Sequence, residues 1–535
     1  MHVRVRTVGI ALTLVLMAGA CGSSSKPGAA AKAPTTTAPA VSPNTEDIAS
    51  LTPMNDAPEP GAERLHFKVG PFVIEPGQNN IANRSAKAQQ PPVDGWVVGI
   101  RPNLVYANGK TPGVDVIHLH HAVWLNLSAQ DATDPQLPER FFAVGEEKTI
   151  LKMPTGYGYA YKTSDHWLLD YMLHNLTSNR DKVWITYDVD FIPATSAAAK
   201  GIKPAVPIWM DVQNGETYPV FNVPRGGGKN GEYTYPDDAK DPYLGGPQKN
   251  VWTVPQDAML LQTAGHVHPG GLRDDLWLQR SGAVVPTDRA KPGTTDTVHL
   301  FSSVSHYYEP AGPVSWDVTM SATPDNWRVQ VHKGDKLSVT ATYETKLASW
   351  YEGMGIMVVW AVYGNGGTDP FTTSVNAPGI LTHGHLAEDD NHGGPTPDKA
   401  HYVDLTKLPS KTVPNGYVID ISNFAYASGD MSIATTVPTI KQGQSITFDN
   451  LDNPLGNGIW HTVTDCAAPC DGASGIAYPL ANGPVVFDSG ELGTGGVPAS
   501  GRVTWSTPTT LPPGTYTYFC RIHPFMRGAF RVVAN

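Results

Sequence analysis

The sequence predicts an all-β protein, and three observations lead to that class. Gly and Pro are abundant, at 53 and 47 of 535 residues, which favours many short strands joined by tight turns. Strand-like apolar runs recur along the chain, for example over 183–192, 336–343 and 502–506. No long stretch shows the spacing of about 3.6 residues between apolar side chains that an amphipathic helix needs.

The amino terminus has the pattern of an export signal. Arg4 and Arg6 precede an apolar run over 8–17 that is too short to span a membrane, and small residues then lead to Cys21. This ending resembles the lipobox of bacterial lipoproteins, although Ala stands where Leu is usual. The resemblance implies that 1–21 is a lipoprotein signal peptide and that a lipid on Cys21 anchors the protein to the membrane outside the cytoplasm. Plain cleavage and secretion is the alternative.

Composition, charge and length indicate a disordered segment, the kind of partner and the number of domains. Residues 22–61, rich in Ala, Thr, Pro and Ser, are predicted to form a disordered tether. The net charge of −11, with no basic stripe, argues against a nucleic-acid partner. The length leaves room for about three or four domains.

Two of the four cysteines form a close pair. Cys466 and Cys470 are separated by Ala-Ala-Pro, and in an exported protein such a pair is expected to form a disulfide that closes a small loop. A second metal site or a redox dithiol is the alternative. Among the histidines only His461 is close to them in sequence, and it is needed elsewhere.

The carboxyl-terminal sequence places three metal-binding side chains within one short turn. Cys520, His523 and Met526 follow a β-rich stretch punctuated by Gly and Pro. A thiolate, an imidazole and a weak thioether belong to the ligand set of a blue-copper electron-transfer site, which needs one more imidazole. His461, at the end of a strand-like run, is the candidate for that position.

This motif resembles a known family. The Cys-x2-His-x2-Met spacing, with Pro-Phe between His and Met and Arg-Gly after Met, is similar to the amicyanin type of cupredoxin over roughly 415–535. The resemblance implies a cupredoxin Greek-key β-barrel over 413–535 that holds one type 1 copper. The implied equatorial ligands are His461, Cys520 and His523, with Met526 as the long axial ligand. A structural cysteine beside an unrelated histidine and a core methionine is the alternative.

Histidines also cluster in the middle of the chain. His118, His120 and His121 lie in a predicted strand, so His118 and His120 share a face and His121 points away unless a bulge re-aims it. His266 and His268 are two residues apart at a predicted strand end. Their side chains therefore share a face, which suits the binding of one metal ion.

The order of these motifs resembles the copper type II, ascorbate-dependent monooxygenases, which include peptidylglycine α-hydroxylating monooxygenase and dopamine β-monooxygenase. The resemblance covers roughly 62–365 and implies two jelly-roll-like β-sandwiches, over 62–205 and 206–370. It also implies two mononuclear type 2 copper sites. The site that relays electrons would use His120, His121 and His174, and the catalytic site that binds oxygen would use His266, His268 and Met354.

Several alternatives stay open. His118 can be a core or surface histidine that binds no metal. His166 can replace His174 as the third ligand, and Met357 can replace Met354. Unlike the family, this stretch contains no cysteine, so core packing alone must hold its domains together. Residues that would grip a substrate are not identifiable.

Residues 371–412 are predicted to link the two copper modules. Three histidines there, beside acidic residues, suit zinc or another divalent ion, but a solvated linker or part of an electron path fits equally. These histidines are His383, His385 and His392.

The sequence thus predicts an exported, monooxygenase-like copper oxidoreductase with a built-in blue-copper electron-transfer domain. Its partners would be a redox protein or a small reductant and an unknown small substrate. The alternative is a non-enzymatic copper-binding or electron-transfer lipoprotein with a degenerate monooxygenase-like half. A multicopper oxidase is disfavoured, because no His-Cys-His sequence joins the blue-site cysteine to a copper cluster.

Overall fold

The structure is a computed structural model that describes most of the chain after the predicted tether. The described residues are Met54 and 56–78, 84–114, 116–177, 179–216, 218–308, 316–382, 403–429, 434–453, 459–466, 470, 485–494, 501–523 and 525–535. The predicted signal peptide with Cys21, nearly all of the tether and the linker histidines His383, His385 and His392 lie outside them. Their predicted roles stay predictions.

The described residues are almost entirely strands and loops, which confirms the all-β prediction. The strands of the first half are β1 (Glu63–Ile74), β2 (Arg84–Lys87), β3 (Gly95–Val105), β4 (Ile117–Gln130), β5 (Pro138–Val144), β6 (Leu151–Lys152), β7 (Tyr157–Tyr161), β8 (Trp167–Asn175), β9 (Asp181–Pro193) and β10 (Lys203–Asp211). Next come β11 (Phe221–Val223), β12 (Glu232–Tyr235), β13 (Val251–Thr253), β14 (Ala258–His266), β15 (Gly271–Gln279), β16 (Thr297–Tyr307), β17 (Val318–Ala322), β18 (Val329–Val331), β19 (Lys336–Glu344), β20 (Trp350–Gly353), β21 (Ile356–Tyr363) and β22 (Ile380–Leu381).

The carboxyl-terminal part continues in the same style. Its strands are β23 (Ser410–Thr412), β24 (Tyr417–Ser422), β25 (Ala425–Tyr426), β26 (Val437–Lys441), β27 (Ile446–Asn450), β28 (Thr464–Cys466), β29 (Thr504–Ser506), β30 (Gly514–Phe519) and β31 (Arg527–Val533). The described helical segments are the 3-10 turns Ala197–Ala199 and Leu405–Lys407. Neither they nor any other described helix could carry the chain across a lipid bilayer.

One long sheet runs through the first two thirds of the chain. Its strand order is β1-β9-β3-β7-β10-β21-β14-β17-β16-β15-β19-β12. β10 pairs in parallel with β7 and antiparallel with β21, so the sheet crosses the predicted boundary between 62–205 and 206–370. The alternation of apolar residues in β9 explains its position, because Val183, Ile185 and Val189 all point into the core.

A second sheet carries the first histidine motif. Strands β2-β8-β4-β5 form it, and its inner face shares a core with β3 and β9. β4 and β8 pair antiparallel, with a register shift between Leu119 and His121. The same pairing sets His118 directly opposite His174. Across the long sheet, β14 ends at His266, opposite Ile356 of β21.

The carboxyl-terminal strands form two further sheets. Their orders are β23-β26-β31-β30-β28 and β25-β24-β27-β29, and a shared apolar core lies between them. A disulfide joins Cys466 to Cys470, as predicted. These carboxyl-terminal strands pack directly on the strands of 206–370, because Val485 and Phe519 belong to the same core cluster as Trp350.

Candidate copper centres

The carboxyl-terminal part brings a thiol and two imidazoles together. Cys520 Sγ lies 3.8 Å from His461 Nδ1 and 3.7 Å from His523 Nδ1, and the two nitrogens are 3.2 Å apart. All three side chains are fully buried. Among the described residues, no other three His, Cys, Asp or Glu donors lie this close to one another. A trigonal set of one sulfur and two nitrogens suits copper in a blue site.

Local structure explains how these side chains meet. β30 ends at Phe519, so Cys520 and His523 lie in the turn between β30 and β31, and Met526 closes that turn. The Cys520 N–H donates to the Met526 carbonyl at 3.0 Å, and the Met526 N–H donates to the His523 carbonyl at 2.9 Å. The Met526 side chain is buried in the same apolar cluster as Cys520.

The surroundings orient His461 and the thiol. His461 Nε2 lies 2.9 Å from Asp452 Oδ2, which leaves Nδ1 facing the sulfur. Burial by itself lowers the pKa of His461, but its contacts with Asp452 and Cys520 outweigh burial and raise that pKa. The Thr462 N–H points at Cys520 Sγ from 3.4 Å. Such partners around metal ligands hold them in the orientation that binds the ion.

The outer edge of His523 is covered by the amino-terminal part of the chain. Its Nε2 lies 3.4 Å from the Gly77 carbonyl oxygen, and its ring is 5.2 Å from the Phe424 ring. The ring centre of His174 lies 6.3 Å from that of His523. The His523 imidazole therefore faces the middle histidines and not solvent.

The middle histidines gather into what we call the imidazole cluster, formed by His118, His120, His121, His174, His266 and His268. The ring centres of His118 and His174 are 5.4 Å apart, and those of His120 and His174 are 6.2 Å apart. The closest pair is His120 with His268, at 4.4 Å. His121 is partly exposed and its ring lies 5.9 Å from that of Tyr218.

Each member of the cluster has a buried ring nitrogen with no hydrogen-bond partner. These atoms are Nδ1 of His118, His120 and His121 and Nε2 of His174, His266 and His268. An unsatisfied buried polar group costs about 1–3 kcal/mol, so proteins seldom keep several together without a ligand. Burial lowers the pKa of His121 and of His174 to about 3, so both are neutral near pH 7. Neutral imidazole is the form that binds metal ions.

His266 and His268 are held as metal-binding histidines usually are. His266 Nδ1 lies 3.0 Å from Glu147 Oε2, and His268 Nδ1 lies 2.5 Å from the Glu352 carbonyl oxygen. In both residues the free atom is Nε2. A partner on one ring nitrogen fixes the tautomer and presents the other nitrogen to a metal.

The other predicted ligands are placed as follows. Met354 is buried in a small apolar cluster with Trp209, Val220 and Ile356. Tyr343 fixes its backbone, because the Tyr343 hydroxyl donates to the Met354 carbonyl at 2.7 Å. The two alternative ligands differ in burial. Met357 is buried in the large core formed mainly by 208–361, whereas the His166 side chain is exposed.

The structure does not gather the predicted triad of His120, His121 and His174 around one point. Their donor atoms form no group within 4.8 Å of one another, a limit that among the described residues only the blue-site triad meets. The bulge at β4 instead leaves His120 beside His268. These ligand assignments stay predictions.

The sequence did not predict two features of the cluster, the position of Trp316 and the membership of His118. The Trp316 ring lies 4.6 Å from that of His118, 5.2 Å from that of His120 and 5.6 Å from that of His268, so it covers the cluster on one side. No motif marked this tryptophan. His118 was interpreted as a core or surface histidine that binds no metal, although strand alternation already placed it on the same face as His120.

A cavity lies between the imidazole cluster and the carboxyl-terminal turn that holds Cys520 and His523. Its volume is about 90 Å³, and its lining includes His120, His174, His268, Glu352 and Arg521. One water needs about 10–15 Å³ of such space, so the cavity can hold several waters or one small molecule. Glu352 is hydrogen-bonded to Glu491, and burial raises the pKa of both carboxyls.

Comparison with known proteins finds no matching family model and no matching curated protein. Solved structures of amicyanin are similar to a short part of the chain. A Cu(I) form of one amicyanin point mutant matches at 22% identity over 26% of this chain and 96% of that chain, with a TM-score of 0.13. A reduced tryptophan-to-tyrosine mutant of amicyanin matches at 23% identity over 26% and 96%, with a TM-score of 0.13. TM-scores this low do not establish a shared fold, so the case for copper depends on the donor atoms themselves.

Proposed function

We propose that this protein is a copper-dependent oxidoreductase in which a blue-copper site exchanges electrons with a second copper centre built from the imidazole cluster. The observation that carries this proposal is the contact between the two sets of ligands. The His523 ring lies 6.3 Å from the His174 ring, and both are buried. Two redox-active metal sites in such contact can exchange electrons inside one chain.

The donor set at the first site supports copper. His461, Cys520 and His523 supply two nitrogens and a sulfur, and Met526 lies in the same turn as a weak axial candidate. Copper bound there would supply one-electron transfer at a potential tuned by the weak axial ligand. Asp452 and the Thr462 N–H hold the ligands in place, so little rearrangement accompanies a change of charge.

The donor set at the second centre also supports copper, because imidazole and thioether are ligands that copper accepts. His266 and His268 would hold one ion, with Met354 as the third ligand. The other ion would be held by His120, His121 and His174. Glu147 and the Glu352 carbonyl orient the first pair. The adjoining cavity gives a small substrate or oxygen a place beside these ligands.

Enclosure of His523 favours an enzyme over a mobile electron carrier. A carrier must present one edge of its redox site to an outside partner, whereas His523 is fully buried beneath Gly77 and Phe424. Monooxygenase activity on an unknown small substrate is the chemistry we propose for the second centre, as the motif order suggests. A redox protein or a small reductant would reduce the second centre again after each turnover.

Export is part of the same proposal. The disulfide between Cys466 and Cys470 is the kind of bond that persists in oxidising compartments outside the cytoplasm. Lipid attachment at Cys21 would hold the protein to the membrane there.

Metal analysis together with oxygen consumption tests the proposal. We expect about three copper ions per chain, of which one gives an intense blue band near roughly 600 nm and the others do not. Oxygen consumption with a small reductant should require the second centre, so His266→Ala should abolish it and leave the blue band in place. A single blue copper per chain and no oxygen consumption would contradict the proposal and favour a carrier.

Two methionine variants sharpen the test. Met354→Ile keeps a buried apolar side chain but removes the thioether, so oxygen consumption should fall while the fold is retained. Met357→Ile makes the same change three residues later, in the large core, and serves as the control. Equal turnover in both variants and the wild type would remove Met354 from the proposed ligand set.

A further inference from the structure

The imidazole cluster is continuous, although the sequence divides it into two groups. His120 is predicted to serve one copper with His121 and His174, whereas His268 is predicted to serve another with His266. In the structure the His120 ring is 4.4 Å from that of His268, closer than the 5.7 Å to His121 and the 6.2 Å to His174. The predicted division therefore separates the two rings that lie closest together.

The remaining members extend this contact on both sides. His118 adjoins His174 at 5.4 Å, and His266 adjoins His268 at 5.1 Å. His118 is almost fully buried, and its Nδ1 lacks a partner, as do the free nitrogens of the other members. A histidine that only filled the core would be expected to have both ring nitrogens satisfied.

The surroundings enclose the cluster as a unit. Trp316 lies over His118, His120 and His268 together, which come from both predicted sites. Buried carboxyl groups lie beside it, with Glu147 at His266 and Glu352 Oε2 at 3.9 Å from His120 Nε2. The two predicted sites therefore share the Trp316 ring, and each has a carboxyl group beside one of its imidazoles.

The spacing of the donors also favours several ions over one. Among the described residues, no three donors of the cluster lie within 4.8 Å of one another, so one ion cannot collect them all without movement. The His120 and His268 rings, with centres 4.4 Å apart, can each bind a different ion, which would place two ions side by side as in two-metal protein sites.

We infer that the six imidazoles form one polynuclear copper centre, with at least two ions close enough to couple magnetically and with His118 among the ligands. This inference rests on the proposed function, since it concerns the second copper centre, but it replaces two independent mononuclear sites with a single coupled one. Its substrate would be a molecule that accepts electrons from two ions together, of which dioxygen in the adjoining cavity is the simplest.

Comparison of total copper with electron-spin-resonance intensity tests the inference on the wild-type protein. After full oxidation with ferricyanide, a coupled pair of Cu(II) ions gives no ordinary signal, so the spin count should fall below total copper by about two ions per chain. Acid unfolding should then release the coupled ions as separate Cu(II) and raise the spin count by about two ions per chain. The second step distinguishes coupled Cu(II) from residual Cu(I), which would stay silent.

A histidine variant tests the place of His118. His118→Ala should lower total copper or restore the missing signal, and the blue band should remain. His166→Ala is the matched control, because the His166 side chain is exposed and outside the cluster. If His118→Ala does not fold, the comparison of spin count with total copper in the wild-type protein still tests the coupled centre.

The outcomes separate the inference from the proposed function. A spin count equal to total copper, at about three ions per chain, would overturn the coupled centre and leave an enzyme with isolated sites. Copper and spin counts in His118→Ala equal to those of the wild type would overturn the role of His118. Only one copper per chain would overturn the proposed function itself.

Discussion

Gly77 lies against His523 of the proposed blue site, and replacing it with alanine tests that contact. Gly77 has φ +58°, and a Cβ there would overlap the Phe424 ring and lie 3.1 Å from His523 Nε2. The left-handed backbone costs a non-glycine residue about 1–2 kcal/mol. Overpacking against Phe424 and His523 adds about 1–3 kcal/mol. We therefore expect Gly77→Ala to destabilise the blue site by about 2–5 kcal/mol in all.

Gly156 supplies the matched control. It has φ +86°, and a Cβ there would meet nothing within 4 Å, so Gly156→Ala carries the backbone cost alone. The assay is urea unfolding of the copper-loaded protein, followed by the blue absorption band. Gly77→Ala should lose the band at clearly lower urea than Gly156→Ala. Equal midpoints for the two variants would refute the close packing of Gly77 on His523.

Three further predictions concern pH, the disulfide and the copper ligands. Burial raises the pKa of Glu139 from 4.5 to about 7, so the folded protein binds this proton more tightly than the unfolded chain. Stability should therefore fall as pH rises from about 4.5 to about 7, and Glu139→Gln should flatten that part of a melting-temperature profile; identical profiles would contradict the assignment. Replacing Cys466 and Cys470 with serine should cost about 2 kcal/mol from the loss of a short closed loop, and an unchanged urea midpoint would show that the disulfide adds no stability. Asp452→Asn should weaken copper binding about 10–100-fold in competition with a chelator, because it disturbs the partner of His461, and unchanged affinity would remove Asp452 from that role.

Local sequence spacing was enough to predict much of the fold and part of the candidate sites. The Cys466–Cys470 disulfide was predictable because a sequence separation of four leaves the two cysteines within reach of each other. Cys520 and His523 lie together for a similar reason, since both belong to one turn. The all-β class followed from short strand-like runs, because the alternation that marks a strand is local as well.

The features that could not be predicted from the sequence depend on contacts between residues far apart in the chain. Gly77 and His523 are 446 residues apart in the chain, and no motif connects them. The closeness of His120 to His268 depends on how the sheet that contains β4 meets the end of β14, which residue spacing within either strand does not encode. A bulge between Leu119 and His121 also changes which neighbour each histidine faces.

Electron transfer inside the chain is the central claim, and one kinetic measurement tests it directly. In fully oxidised, copper-loaded protein without oxygen, a brief pulse of reductant should bleach the blue band at the site of Cys520. The band should then recover in a first-order process whose rate does not depend on protein concentration, as the electron passes from His523 towards His174. A band that stays bleached, or that recovers at a rate proportional to protein concentration, would contradict the account.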